Sequence, residues 1–289
     1  MASVSTMSAN PDNTIQTFQT RYDDAVYPAL QESAIKTLPD MISRIEQTFE
    51  GEKVVFYDID PSNTSSTMDG TDHTDEGTAG DINSFEAEIE PIYAYRRVYK
   101  NEMNKTNLDL AGDFVQSFVR AVDRGVNLGF LGAIDDAKAG DEIGDDTLPI
   151  DELIDEVIES CELASLRVAE RPEYAPTALL VMNSRDYARL HRSVKKISSD
   201  FSANVSGGMF YGAKVVTFEA DVVPSGRTYV IPWGTTGHGR WETVEASATY
   251  QQLFDGMWCF AKKSGGTVVI QPESIDVIES LPFGTPPSV

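Results

Sequence analysis

Leu179-Leu-Val-Met-Asn-Ser-Arg-Asp-Tyr-Ala-Arg-Leu190 carries three structural signals in succession. Thr177–Met182 is a short apolar run, the pattern of a buried strand. Asn183 and Ser184 bring side-chain oxygens that accept backbone N–H groups where a helix begins, so they read as turn and cap. Arg185–Arg192 then reads as a short helix. Downstream, further strands are predicted at Lys214–Phe218, Thr228–Pro232, Thr243–Tyr250, Met257–Lys262 and Thr267–Gln271, with Ser274–Ser280 as a closing apolar segment. These strands outnumber the helices and do not alternate with them, which predicts an α+β fold.

Upstream, the spacing of apolar residues changes to that of helices. Ile150, Leu153, Ile154, Val157, Ile158, Cys161 and Ala164 form one stripe, predicting a helix over Ile150–Val168. Asp151 and Glu152 in its first turn, and Arg167 and Arg171 at its end, suit the helix dipole. Before it, Asn107 reads as an N-cap for a longer helix with the stripe Ala111, Phe114, Phe118, Ala121, Val122 and Val126, running to Gly132. A polar turn is expected over Asp135–Asp146.

The first third of the chain is more extended. Residues 1–14 are small and polar, an arm; Ile15, Phe18, Tyr22 and Val26 recur at helical spacing up to Pro28, and Leu38, Ile42, Ile45 and Phe49 predict a second helix ending at Gly51. Val54-Val-Phe-Tyr57 and Phe85-Glu-Ala-Glu-Ile89 read as strands separated by a long Ser/Thr/Asp/Gly stretch. From Asp58 to Glu90 there are ten acidic residues and no Lys or Arg. A connection of that length is functional or disordered in a compact domain. Two strands with a long acidic tip make a finger that a lone domain cannot easily bury.

Composition narrows the function. The 289 residues include 46 Asp+Glu against 23 Lys+Arg, a formal charge of −23, and 41% are hydrophobic. That balance excludes a broad nucleic-acid grip, which needs Lys and Arg on phosphates. The N-terminus has neither a basic start nor an apolar run, and no window reaches the ~18 apolar residues of a membrane span, so a cytoplasmic site of synthesis is expected. Cys161 and Cys259 lie too far apart for metal-ligand spacing and read as buried thiols in a reducing compartment, with a disulfide between them as the alternative. Neither a phosphate-binding loop nor a dinucleotide fingerprint is present, and Gly237-His-Gly239 reads as a turn. His73, His191 and His238 have no nucleophile elbow beside them, so neither catalytic residue nor cofactor is expected. Asp58-Ile-Asp60 is a paired carboxylate motif, and Asp69–Glu76 is rich in oxygen ligands. A calcium- or manganese-dependent binding protein or sugar transferase is therefore the reading from another class, although the EF-hand spacing is missing.

The order of these elements resembles the major capsid proteins of tailed bacteriophages, the Hong Kong 97 type. Three stretches carry the resemblance: Leu110–Gly125 is similar to the end of a spine helix, Leu179–Leu190 to the strand, turn and helix of an axial domain, and Tyr211–Val216 with Tyr229–Gly234 to its next two strands. The resemblance implies an N-terminal arm over 1–50, an extended two-stranded loop over 51–95, a peripheral domain with the spine helix over 96–148, an axial domain over 149–240, and a return of the peripheral sheet over 241–289. It implies hexamers and pentamers of one chain forming an icosahedral shell around a DNA genome, bound without sequence specificity. A separate scaffolding protein, a portal and an added cement protein are the other expected partners. No membrane is involved, and the protein is made in the host bacterial cytoplasm and ends in the virion. Lysine is absent between Val54 and Tyr99, so finger lysines for isopeptide cross-links are not available. Inter-subunit contacts are expected between the acids Asp58, Asp60, Asp69, Asp72, Asp75 and Glu76 and the basic residues Arg96, Arg97, Arg185 and Arg189 of a neighbour. An encapsulin-like compartment shell is the alternative within the same fold.

Overall fold

The computed structural model describes residues 37–48, 51–59, 82–99, 110–138, 150–169, 178–197 and 208–279. In chain order they form α1 (Leu38–Ile42), β1 (Arg44–Thr48), β2 (Lys53–Ile59), β3 (Ile82–Glu88), β4 (Glu90–Tyr99), α2 (Leu110–Ala137), α3 (Ile150–Ala169), β5 (Ala178–Asn183), α4 (Ser184–Ile197), β6 (Met209–Phe210), β7 (Ala213–Phe218), β8 (Arg227–Pro232), β9 (Thr236–Gln251), β10 (Gly256–Val269) and β11 (Asp276–Glu279). A four-stranded sheet has the order β1-β9-β10-β4, a five-stranded sheet the order β11-β8-β5-β7-β6, and β2 pairs with β3 as a hairpin. The fold is mixed α and β, as expected. β11 joins β8 of the five-stranded sheet, antiparallel, with Asp276 opposite Val230 and Glu279 opposite Arg227.

β5 lies at the middle of the five-stranded sheet, parallel to β7 and antiparallel to β8. All six of its residues are buried, because both of its faces are covered. Leu180 and Met182 pack with Ile154, Val157, Cys161 and Ala164 of α3. Leu179 and Val181, pointing the other way, pack with Leu38 and Ile42 of α1 and Phe130, Leu131 and Ile134 of α2. Each of these side chains contributes roughly 1.5–3 kcal/mol by burial.

α2 runs 28 residues, about 42 Å at 1.5 Å per residue, and ends at Ala137 rather than Gly132. Phe118, Val122 and Val126 are buried, whereas Ala121 is exposed. At its C-terminal end Asp135 accepts a bond from the Tyr229 hydroxyl at 3.2 Å and pairs with Arg227 at 2.9 Å. Arg227 also reaches Glu279 of β11 at 3.2 Å.

Two expectations fail, for one reason. The predicted helix Leu38–Phe49 stops at Ile42, and Arg44–Thr48 become a strand parallel to β9, from Arg44 opposite Gly237 to Thr48 opposite Trp241. The free edge of β9 gives that backbone its bonds, and the Ser43 hydroxyl meets Thr236 at 2.8 Å across the junction. The predicted turn at Gly237–Gly239 and the predicted break before Thr267 are likewise absent. β9 and β10 are continuous strands of 16 and 14 residues with a register shift at Lys262/Ser264. Tertiary pairing overrides local propensity in both places.

The glycines inside those strands serve close approach instead of turning. A Cβ at Gly237 would lie 2.7 Å from the Phe56 ring, and one at Gly239 3.0 Å from Val54. One at Gly266 would overlap the carbonyl oxygen of Glu88. The base of the β2–β3 hairpin therefore sits on the four-stranded sheet, with Val54, Phe56 and Ala87 buried against Trp241 and Ile270. The Trp241 indole donates to the Gly51 carbonyl at 2.9 Å. The finger was expected to stand unsupported; its base does not, because glycine lets it land. Its acidic tip, 60–81, lies outside the described residues, as do the arm and the first predicted helix.

Gly266→Ala should lower stability by about 1–3 kcal/mol through overpacking at the hairpin seat. Gly132→Ala, inside α2 near its C-terminal end with nothing within 4 Å of the added methyl, should raise it by up to about 1 kcal/mol. Urea unfolding midpoints of the two variants check both signs.

Candidate assembly surface

Of the described candidate contact residues, Asp58 and the pair Arg96–Arg97 fall at opposite ends of the line of β10. At one end Asp58 closes the hairpin. It pairs with Arg44 at 3.2 Å and accepts a bond from the Gln271 amide at 2.7 Å. Asp58 is thus engaged by its own chain. Asp60, Asp69, Asp72, Asp75 and Glu76 lie outside the described residues. On the hairpin's flank Lys53 bridges Glu86 at 2.7 Å and Glu88 at 3.0 Å, and these hydrogen bonds raise its pKa. All three side chains are exposed, so the cluster contributes little to stability.

At the other end β4 pairs antiparallel with β10, Tyr99 opposite Gly256 and Glu90 opposite Gly265. Arg96 and Arg97 are neighbours in sequence and consequently point to opposite faces. The even face meets α2: a Cβ at Gly125 would overlap Ile92, and Val98 is fully buried. The odd face is exposed. Tyr93, Tyr95 and Tyr99 are 59%, 58% and 48% accessible. Tyr93 stacks on Tyr95 with centroids 6.2 Å apart, Tyr95 on Trp258 at 5.2 Å and only 9° from parallel, and the Arg97 guanidinium lies 5.1 Å from the Trp258 ring. This column of three rings and a cation escaped the reading by motif. The alternation Tyr93-Ala-Tyr95-Arg-Arg97-Val-Tyr99 was the signal that could have found it.

Arg185 and Arg189 lie on the exposed side of α4, away from the column. Local capping places them: the Asn183 side chain accepts the Arg185 N–H at 2.9 Å and donates to the Val223 carbonyl at 3.0 Å. Asp186, 1% exposed, accepts bonds from the Ser225 hydroxyl at 2.8 Å and the Gly226 N–H at 2.9 Å. Arg189 approaches it at 3.7 Å. Asp186→Ala would strand two donors and should cost about 2–3 kcal/mol, read as a loss in thermal or urea stability.

Glu86, Glu88, Glu90, Asp136 and His238 are among the residues lining a cavity of about 550 Å³ against α2. His238, expected in a turn, is 6% exposed in β9, with Nδ1 2.9 Å from the Thr267 hydroxyl. Burial, with Lys263 nearby, lowers its pKa to about 4. Lys263 is itself buried, and desolvation lowers its pKa. Cys161 and Cys259 are buried free thiols, and desolvation pushes Cys161 up to about 12, so it is not a nucleophile. Among the described residues no group of three or more His, Cys, Asp or Glu is placed to hold a metal ion, and no helix is long and apolar enough to cross a membrane. His191 lies against Tyr187 on α4, and His73 is outside the described residues.

As the pH falls through His238's unfolded value of 6.5 the unfolded chain takes a proton that the folded chain refuses down to about 4. Stability is therefore lost between those values and levels off below, by about 3 kcal/mol for this group. His238→Gln should remove that part of the loss, seen by comparing urea midpoints of both proteins at pH 7 and pH 4.

No family model and no curated protein matches the sequence. Solved structures do match, and they define the class of fold: the capsid fold of tailed phages. The capsid structure of the cyanophage P-SCSP1u superimposes with a TM-score of 0.58 at 11% identity, over 83% of this chain and 86% of that one. A virus-like particle from Pyrococcus furiosus gives 0.58 at 12%, over 92% and 99%. The capsid of a native GTA particle gives 0.56 at 15%, over 84% and 89%. At such identities the likeness is one of fold.

Proposed function

We propose that this chain is the major capsid protein of a tailed bacteriophage, assembling as hexamers and pentamers into a shell around DNA. The observation that carries the reading is the match of most of the chain to capsid subunits, with matches covering nearly the whole of those subunits as well. The molecule's own physics supports it. An acidic finger, a long edge strand with exposed aromatic rings and a basic helix face are surfaces that a lone protein has no reason to keep. The acidic excess suits a wall facing packed DNA, because a basic wall would bind the genome through its phosphates. The chain acts as a structural protein rather than an enzyme. It is made in the host cytoplasm, and its further partners are a scaffolding protein, a portal and a cement protein. Finger acids meet the arginines Arg96, Arg97, Arg185 and Arg189 of neighbours.

The alternative within the same fold is a shell enclosing protein, which the matched structures do not favour over the phage reading. The contents of purified particles, DNA or protein, decide between the two.

Electron microscopy of the purified chain should show closed shells. Arg96→Glu combined with Arg97→Glu should abolish them while leaving soluble subunits with unchanged circular dichroism. Intact shells from that double variant would end the charge-pairing part of the proposal.

A further inference from the structure

Three glycines of α2, Gly125, Gly129 and Gly132, recur at i, i+4 and i+7 and so share one face of the helix. Each weakens the helix relative to alanine. Their surroundings differ. A Cβ at Gly125 would overlap Ile92, so β4 fills that gap. At Gly129 the nearest group is the Glu90 carboxylate, whose Oε2 would lie 3.9 Å from an added Cβ. At Gly132 a Cβ would meet nothing beyond the helix itself within 4 Å. The space left there belongs to the cavity of about 550 Å³, a size that suits a small organic molecule.

The lining of this cavity is anionic where it meets solvent and apolar where it does not. Glu86, Glu88, Glu90 and Asp136 are exposed, whereas Val126 and Phe130 are buried. Lys53 pairs with Glu86 and Glu88. It is the one cation paired with these four carboxylates among the described residues, so three of their four negative charges stay uncompensated. The wall supplies a second, separate feature. His238 is 6% exposed, and its Cε1–Nε2 edge lies against Gly265, which also lines the cavity. Nδ1 bonds the Thr267 hydroxyl, and Nε2 has no hydrogen-bond partner among the described residues. Burial lowers the pKa of the ring to about 4, so it is neutral at pH 7. With its proton on Nδ1, the Nε2 lone pair is an acceptor facing the cavity. A buried acceptor without a donor is destabilising, and an incoming N–H would relieve that.

We infer that this cavity is a binding site for a linear aliphatic polyamine, its ammonium groups on Glu90, Asp136 and the Nε2 of His238 and its methylenes over Val126 and Phe130. The site belongs to the single subunit and goes beyond the shell reading without depending on it. Other ligand classes fit less well. A hard divalent ion takes about six or more oxygen ligands at short range, and among the described residues no three His, Cys, Asp or Glu are placed to hold a metal. An anion would be repelled by the carboxylates. A lysine side chain from another protein would bring one positive charge where three are missing. A polyamine brings several on one apolar chain, and each ammonium makes the charge-assisted bonds that carboxylates accept best. Because Glu88, Glu90 and Asp136 belong to β3, β4 and α2, a bound polyamine would also tie the hairpin base to the helix.

Isothermal titration calorimetry of the full chain with spermidine, at fixed ionic strength, tests the site. One saturable event per chain is expected, and butylamine should bind at least about tenfold more weakly. Glu90→Gln with Asp136→Asn should raise the spermidine midpoint at least about tenfold. Gly132→Leu should fill the cavity, so that binding is lost while the thermal unfolding temperature is kept or raised, a combination that misfolding cannot mimic. Neutralising the finger (Asp69→Asn, Asp72→Asn, Asp75→Asn, Glu76→Gln) should leave the midpoint unchanged, which separates the site from general attraction to a chain of formal charge −23. No saturable binding, equal midpoints for spermidine and butylamine, an unchanged midpoint in the Glu90/Asp136 variant, or binding lost on neutralising the finger would overturn the inference. If Gly132→Leu does not fold, the Glu90/Asp136 variant decides alone.

Discussion

Helix α2 has to satisfy two sheets with a single apolar stripe, and the rest of the subunit is arranged around that constraint. Its middle, Val122 and Val126, is buried on the side where the helix meets β4 and β10, and its last turns, Phe130, Leu131 and Ile134, close the five-stranded sheet. The burial is non-directional and would tolerate sliding. Direction comes from polar contacts at fixed points: the Asn127 side chain accepting the Leu38 N–H at 2.8 Å, and Asp135 held by Arg227 and Tyr229. These bonds join α1, α2 and β8 at set places along the helix. The position of one sheet relative to the other is thereby fixed by side chains spread over fewer than three turns of one element.

That arrangement decides which surfaces are left over. With α2 on one face of the four-stranded sheet and the hairpin on half of the other, the only broad uncovered area among the described residues of that sheet is the β4 end. The column there is stabilised within the subunit by stacking, at about 0.5–1.5 kcal/mol per aromatic pair beyond burial, and by the cation over Trp258. Stacking also pre-orders the rings. A partner that meets them loses less side-chain entropy than it would on free tyrosines.

Much of this was legible in the sequence because periodicity reports one-sided burial. The stripe of α3 and the apolar run of β5 translate directly into Ile154, Val157, Cys161 and Leu179–Met182 in the core. What stayed illegible depends on partners remote in sequence. Leu38, Ile42, Ile45 and Phe49 keep helical spacing, yet Arg44–Thr48 belong to the edge of β9 nearly two hundred residues away. Gly237, Gly239 and Gly266 look like punctuation until Phe56, Val54 and Glu88 arrive above them. The candidate site suffered a similar loss. Arg96 and Arg97 read as one basic cluster, but strand alternation separates them, and only Arg97 joins the aromatic column.

The glycine seat also bears on how the proposed shell subunit would reconcile rigidity with assembly. Van der Waals contact between a phenyl ring and bare backbone is a packing interaction with no hydrogen bond to break and no rotamer to trap, so sliding or tilting of the hairpin over Gly237 and Gly239 costs contact area gradually. The Asp58–Gln271 and Trp241–Gly51 bonds, by contrast, are lost all at once with tilt. A finger held this way has one preferred angle set by polar contacts at its margins, the Arg44–Asp58 pair among them, and a smooth floor beneath. In the proposed shell, subunits of identical sequence in unequal surroundings would need that combination, a finger placed well enough to find a neighbour and still able to accept small differences in where that neighbour lies.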